Sequence, residues 1–131
     1  MGDNVLSLKF TDSKDIFPFA YAVHMLVNKA PVTMRSKENP GVRIEKGKLL
    51  DDMYEGYVLK QAIDTGEILR VTPIVGPYKN VSVIVVPIIE NRDITGAIGI
   101  VDLTAGIFEE LHSITRRPEI MKFLPDDAFP K

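Results

Sequence analysis

Two apolar segments joined by a short polar cluster constrain the fold of this chain more than any other feature. The first runs from Val81 to Ile89 and is mostly β-branched, and the second runs from Ile94 to Leu103. The turn-forming cluster Glu90-Asn91-Arg92-Asp93 lies between them. β-Branched residues fit a pleated surface that is covered on both faces, and polar turn residues between two such runs are typical of a hairpin. Residues 80–103 therefore predict an antiparallel hairpin at the centre of a sheet.

The second of these segments contains Gly96, Ala97 and Gly99, which carry little or no side chain. Glycine weakens the interior of a strand unless another group must come close to the backbone there. We therefore expect a helix, a second subunit or a ligand to approach this strand.

A first helix is predicted over about residues 13–29. Several residues just before it can cap its N-terminus, and Pro18 is tolerated if it lies in the first turn. Residues at three- and four-residue spacings form one apolar stripe, namely Phe19, Ala22, Val23, Leu26 and Val27. Further apolar residues widen this stripe beyond one packing face, which indicates a second partner. We expect a homodimer formed through this helix.

The rest of the chain predicts short strands and two further helices. Alternation and turn residues predict strands over 32–35, 42–45 and 68–72, with a short strand or arm over 5–10. A second helix is predicted from Leu50 to about Asp64 with Gly66 as its C-cap, and a third over 105–116. The apolar tail 118–131 is expected to dock on the body or on a partner. This order predicts an α+β fold with a single antiparallel sheet of about five strands flanked by helices, in one domain spanning 1–131.

Composition excludes several classes of function. The net charge of −2 lacks the basic surface that nucleic-acid binding needs. The absence of cysteine excludes disulfides, thiolate metal sites and thiol nucleophiles. The N-terminal residues lack the apolar core of a signal peptide, and no apolar stretch is long enough to cross a membrane. We expect a cytoplasmic protein that binds neither nucleic acid nor membrane.

Side chains that could support catalysis do not converge in the sequence. His24 lies among apolar neighbours in the first helix, so a core histidine is favoured over a ligand or catalytic role. His112 follows Glu109 by three residues, but a di-metal site needs a second such pair. We predict no catalytic residue, no metal site and no cofactor.

Residues 42–103 carry short motifs in a particular order: Gly66-Glu67, Thr72-Pro73, Val86-Pro87-Ile88, and Gly96-Ala97-Ile98-Gly99-Ile100. This order resembles the PAS, GAF and Cache group of sensory domains. In that group a concave sheet face and the helix lying over it enclose a small ligand or support dimerisation. The whole chain is also similar to a family of uncharacterised archaeal proteins, many of them from methanogens.

The resemblance implies a non-catalytic sensory or regulatory domain that binds a small anionic ligand or signals through dimerisation. Six residues are expected to contact the ligand: Tyr54, Tyr57, Arg70, Thr72, Tyr78 and Asp102. Asp102 could instead cap the third helix. Arg70 could instead pair with Asp102 or face solvent. Two other functions stay open. One is a small hydrolase or isomerase that uses Asp102, Arg70 and a tyrosine, and the other is a purely structural assembly protein.

Overall fold

A computed structural model describes residues 10–102. They form two helices and six strands, in the order α1 (Ser13–Leu26), β1 (Val32–Ser36), β2 (Gly41–Glu45), β3 (Lys48–Tyr54), α2 (Tyr57–Thr65), β4 (Leu69–Val71), β5 (Val83–Glu90) and β6 (Asp93–Val101). The strands form one sheet in the order β3-β2-β1-β6-β5-β4, with every neighbouring pair antiparallel. The α+β class with a single antiparallel sheet is therefore confirmed, with six strands where about five are predicted.

The predicted hairpin is formed by β5 and β6. Asn91 and Arg92 make its turn with φ of 50° and 73°, the left-handed conformation that matches the twist of a two-residue hairpin. β6 also pairs with β1, from Val32 opposite Ile100 to Ser36 opposite Gly96. The hairpin therefore lies in the interior of the sheet.

The two helices pack on opposite faces of the sheet. α1 packs on β1 and β2, where Val32, Met34, Val42 and Ile44 are fully buried. α2 packs on β5 and β6, over Val83, Val85 and Ala97. Ala97 faces α2 and the next residue, Ile98, belongs to the cluster under α1, as alternation along a strand requires. We refer to these as the α1 face and the α2 face.

The first helix differs from its prediction in three respects. Asp12 caps its N-terminus through the backbone N–H groups of Lys14 and Asp15, so Pro18 lies inside the helix and beyond the first turn. The helix ends at Leu26, because Asn28 and Lys29 adopt positive φ. The residues buried against the sheet are Ile16, Ala20 and His24 instead of the predicted stripe. Apolar residues almost encircle this helix, so periodicity alone does not identify the packed side.

The prediction of a helix from Leu50 to Asp64 is wrong for its first half. Lys46 and Gly47 form a two-residue turn with φ of 51° and 77°, which pairs the following residues with β2 as strand β3. The helix begins only at Tyr57, after Gly56 adopts a φ of 61°. Gly66 with a φ of 70° ends it, and its N–H donates to the carbonyl of Ala62, which confirms the predicted C-cap.

Several predictions concern residues outside the described range. The strand over 5–10, apart from Phe10, the helix over 105–116 and the docking tail 118–131 lie there, and a single domain over 1–131 stays a prediction. Within residues 10–102, neither helix has the length and apolar character needed to cross a membrane.

Candidate functional site

A cavity of about 220 Å³ lies on the α2 face, between the N-terminal end of α2, the sheet and the loop that joins β4 to β5. Its lining consists of apolar, aromatic, proline and glycine residues and one threonine: Pro31, Thr33, Tyr54, Gly56, Tyr57, Val58, Leu59, Pro73, Val75, Gly76, Pro77, Tyr78, Val83, Val85, Gly99, Ile100 and Val101. Thr33, Val83, Val85 and Gly99 are buried and mark the closed end, whereas Tyr57 and Val75 are exposed and mark the mouth.

Three of the six predicted ligand residues come together in this cavity. Tyr54 ends β3, Tyr57 begins α2, and Tyr78 lies in the loop between β4 and β5. Gly56 brings the first two close to each other, since its left-handed conformation reverses the chain between strand and helix. A Cβ at this position would lie 2.7 Å from the Tyr54 ring. The turn therefore requires glycine both for its left-handed conformation and for the lack of space beside the ring.

The other three predicted residues are absent from the lining. Arg70 is exposed on β4 and pairs with Ile84, while its neighbours Leu69 and Val71 pack under α2, so Arg70 lies on the α1 face. Thr72 is exposed, and its hydroxyl lies 3.2 Å from that of Ser82. Asp102 follows the last residue of β6 and is also absent from the lining.

Two residues at the closed end escaped the sequence-based site prediction. Thr33 is 8% exposed in the central strand β1, where all five residues are buried. Gly99 faces it from β6, and a Cβ on Gly99 would lie 3.1 Å from the Thr33 hydroxyl oxygen. The glycines of β6 are the signal that points here. Gly96 serves a different purpose, because a Cβ there would lie 2.4 Å from the carbonyl oxygen of Arg35 across the strand pair.

Two charged residues of β2 hold Tyr78 against the sheet. The Tyr78 hydroxyl donates to Glu45 Oε2 at 3.0 Å, and Arg43 Nε donates to the same oxygen at 3.1 Å. The Arg43 guanidinium also lies 5.9 Å from the centre of the Tyr78 ring, within cation–π range. We call these three residues the Tyr78 latch. It holds the β4–β5 loop across the α2 face as far as β2.

The charges of the latch shift the pKa of nearby groups. Burial, together with the charge of Glu45 and the hydrogen bond to it, raises the pKa of Tyr78. Burial also raises the pKa of Tyr54, and the positive charge of Arg43 only partly opposes it. For Arg43, burial lowers the pKa, but the hydrogen bond and charge of Glu45 and the contact with Tyr78 outweigh it and raise the pKa overall. Both phenols are therefore protonated at neutral pH and can donate hydrogen bonds.

A buried arginine fixes the junction between β3 and α2 beside the cavity. Arg35 Nη1 donates to the Glu55 carbonyl at 2.9 Å and to the Glu55 carboxylate at 3.2 Å, and Arg35 Nε donates to the Ser36 carbonyl. The Arg35 side chain is 7% exposed and that of Glu55 is 75% exposed. The hydrogen bond to the Glu55 backbone carbonyl therefore stabilises this junction more than the solvated ion pair does, and the one to Ser36, within β1, orients the guanidinium.

His24 lies far from the cavity in chain and in space, under the C-terminal end of α1. Its Nδ1 is 2.7 Å from the Ala30 carbonyl oxygen, and its Nε2 is 2.9 Å from the Gly47 backbone nitrogen. The structure thus places it as a core histidine. In the part of the chain that the structure describes, no group of three histidine, aspartate or glutamate side chains could hold a metal ion.

Comparison with known proteins identifies relatives of this chain. A family model described as an uncharacterized protein conserved in archaea, DUF2111, matches residues 23–104. Uncharacterized protein MJ0405 of Methanocaldococcus jannaschii is 60% identical over 121 residues, which cover 92% of each chain. No solved structure matches.

Proposed function

We propose that this chain, which belongs to the family of uncharacterised proteins conserved in archaea called DUF2111, is a sensory or regulatory domain that binds a small ligand in the cavity on the α2 face. The observation that carries this proposal is the cavity itself, bordered by Tyr54, Tyr57 and Tyr78. Apolar cavities with a few placed polar groups are the usual form of small-molecule sites.

The order of elements supports the same proposal. The chain motifs resemble those of PAS, GAF and Cache domains, and the cavity lies between a sheet face and the helix that covers it. The lining belongs to the α2 N-terminus, the β4–β5 loop and four strands, so a ligand there bridges these elements. Binding can therefore change the relative stability of these elements, which is what a regulatory domain requires.

Catalysis by Asp102, Arg70 and a tyrosine is a weaker proposal. Arg70 lies on the face opposite to the tyrosines, and neither Arg70 nor Asp102 lines the cavity. A general acid and base must reach the same substrate atoms within hydrogen-bond distance. The cavity offers phenols with raised pKa, which suit binding more than proton abstraction.

We also propose that two copies associate through α1. Its outward side exposes Phe19, Met25 and Leu26, at 39%, 47% and 83% exposure. Large apolar side chains exposed on one helix favour an interaction surface. Dimerisation through α1 leaves the cavity accessible, because α1 and the cavity lie on opposite faces of the sheet.

The ligand proposal is tested by thermal-shift screening of the whole chain, followed by calorimetric titration of the compounds that stabilise it. A compound at about 100 times its Kd should stabilise the fold by about 2.7 kcal/mol. Val85→Leu adds volume inside the cavity and should abolish that stabilisation. Val86→Leu, the adjacent residue on the α1 face, should retain it, as should Arg70→Ala.

The proposed function is wrong if no compound in a chemically broad library stabilises the chain. It is equally wrong if Val85→Leu binds the stabilising compounds as tightly as the unmodified chain does.

A further inference from the structure

We infer that the ligand of this cavity is an uncharged, ring-bearing molecule with one polar group directed at the hydroxyl of Thr33. This inference rests on the proposed ligand-binding function and names the chemical class of the ligand. It replaces the anion expected from Arg70 in the sequence.

Charge is the first argument. Among residues 10–102, no charged side chain lines the cavity. Arg43, which contacts the ring of the lining residue Tyr78, already shares Oε2 of Glu45 with the Tyr78 hydroxyl. The latch as a whole therefore offers an ion no uncompensated charge. Moving an ion from water into such a site is costly unless an opposite charge and hydrogen bonds replace its hydration. An uncharged molecule avoids this cost.

Shape is the second argument. Three tyrosines, three prolines and three glycines contribute to the lining, so much of its surface is flat ring or bare backbone. Tyrosine rings pack favourably against other aromatic rings in stacked or edge-to-face arrangements. A cavity of roughly 150 Å³ is known to accept benzene, and this one has about 220 Å³. The space therefore suits one ring with a short substituent.

The position of the polar groups is the third argument. The Tyr78 hydroxyl is already engaged with Glu45. Thr33, by contrast, is more than nine-tenths buried and lines the closed end, and its hydroxyl makes no hydrogen bond to any other residue within 10–102. Because no fully buried side-chain polar atom among residues 10–102 lacks a partner, this hydroxyl is open to the cavity and can donate to or accept from a group placed there. A ligand whose polar group reaches the closed end would satisfy it.

Three one-ring probes of similar size separate charge from hydrogen bonding: phenol, toluene and benzoate. Calorimetric titration of the intact chain should give the tightest binding for phenol, then toluene, then benzoate. Thr33→Val keeps the shape of the side chain and removes the hydroxyl. It should weaken phenol by about five- to tenfold, the size of one hydrogen bond, and leave toluene unchanged.

Two further variants complete the design. Thr33→Ser keeps a hydroxyl and should restore most of the phenol affinity, which shows that Thr33→Val acts through the lost hydrogen bond and not through misfolding. Thr72→Val removes a threonine hydroxyl outside the lining and should change neither titration.

The inference is overturned if benzoate binds as tightly as phenol, or if Thr33→Val weakens phenol and toluene equally. It is also overturned if none of the three probes binds while a charged or larger compound from the library does; in that case the proposed ligand-binding function survives. If no compound of any class binds, both proposals fail together.

Discussion

Both ring nitrogens of His24 are hydrogen-bonded although the residue is completely buried. The Gly47 backbone N–H can only donate, so Nε2 accepts from it, and the Ala30 carbonyl can only accept, so Nδ1 carries the proton. His24 is therefore the neutral Nδ1–H tautomer. It joins the segment after α1 to the turn between β2 and β3. Among residues 10–102, no other side chain forms hydrogen bonds to both of these segments.

Replacing His24 by leucine should destabilise the fold by about 2–4 kcal/mol. Leucine retains much of the buried volume but removes the hydrogen-bond partner of the Gly47 N–H and of the Ala30 carbonyl, which are both half-buried, at about 1–2 kcal/mol each. The measurement is the free energy of unfolding in urea. Met25→Leu, the neighbouring and half-exposed position, is the matched control and should change it by less than about 0.5 kcal/mol. An equally small loss for His24→Leu would show that the two hydrogen bonds do not contribute to stability.

The position of a single residue could be predicted where its own chemistry determines whether it is buried. It could not be predicted where the position depends on which face of the sheet a strand residue points to. The core position of His24 follows from its apolar neighbours, and the three tyrosines were expected near the site. Arg70 and Thr33 are different, because a shift of one residue in register moves a side chain to the other face. Strand β4 has only three residues, too few for the alternation of apolar and polar residues to show which of them face α2.

The β4–β5 loop is the element that closes the cavity. Its backbone is folded on itself, since Asn80 N–H donates to the Pro73 carbonyl at 2.9 Å and Lys79 N–H donates to that of Gly76. Asn80 and Gly76 accept positive φ to make this possible. Beyond these local bonds, the described contact that ties the loop to the far half of the sheet is the Tyr78 latch.

Tyr78→Phe should loosen this loop and lower the free energy of unfolding by about 1 kcal/mol, because it removes a hydrogen bond to a carboxylate. Amide hydrogen exchange in residues 74–82 should accelerate. Tyr57→Phe is the matched control, since the Tyr57 hydroxyl has no partner among residues 10–102, and it should leave both quantities unchanged. Equal exchange rates in the two variants would rule out the latch.

The raised pKa of Tyr78 gives a second test of the latch with a defined sign. The folded protein holds the phenolic proton to higher pH than the unfolded chain does, so this contribution to stability is complete below the ordinary value of 10.0 and is lost as pH rises beyond it. The stability difference between the unmodified chain and Tyr78→Phe should therefore shrink above about pH 10. A difference that grows with pH would contradict the assigned shift.

Strand β3 shows why one element was mispredicted. Leu49, Leu50 and Met53 are all exposed along this edge strand, and their spacing imitates the stripe of an amphipathic helix. The turn at Lys46 and Gly47 determines the outcome, because it returns the chain alongside β2. In addition, the Asp51 side chain accepts a hydrogen bond from the Met53 backbone N–H at 2.8 Å. This satisfies one backbone donor of an edge strand that has no further strand beside it. The central hairpin was predicted correctly because its apolar runs have no competing interpretation.

For the molecule as a whole, the apolar outer side of α1 predicts self-association. Leu26→Lys places a charge at the most exposed position of this surface and should shift the chain from dimer to monomer in sedimentation velocity at micromolar concentration. Ile74→Lys changes an equally conspicuous exposed apolar residue, 77% exposed in the β4–β5 loop, and should leave the dimer intact. A 14.6 kDa monomer for the unmodified chain, or dissociation by Ile74→Lys alone, would refute dimerisation through α1.

Titration of the ¹⁵N-labelled chain with phenol, followed by the backbone amide resonances, tests ligand binding in the cavity most directly. Thr33, Gly56, Gly76 and Gly99 surround the cavity on separate elements, so a ligand inside it must change the environment of all four. We predict saturable shifts at these amides with one common Kd, and none at Arg70 on the opposite face. Shifts confined to the surface around Arg70, or the absence of any saturable shift, would contradict the proposed site.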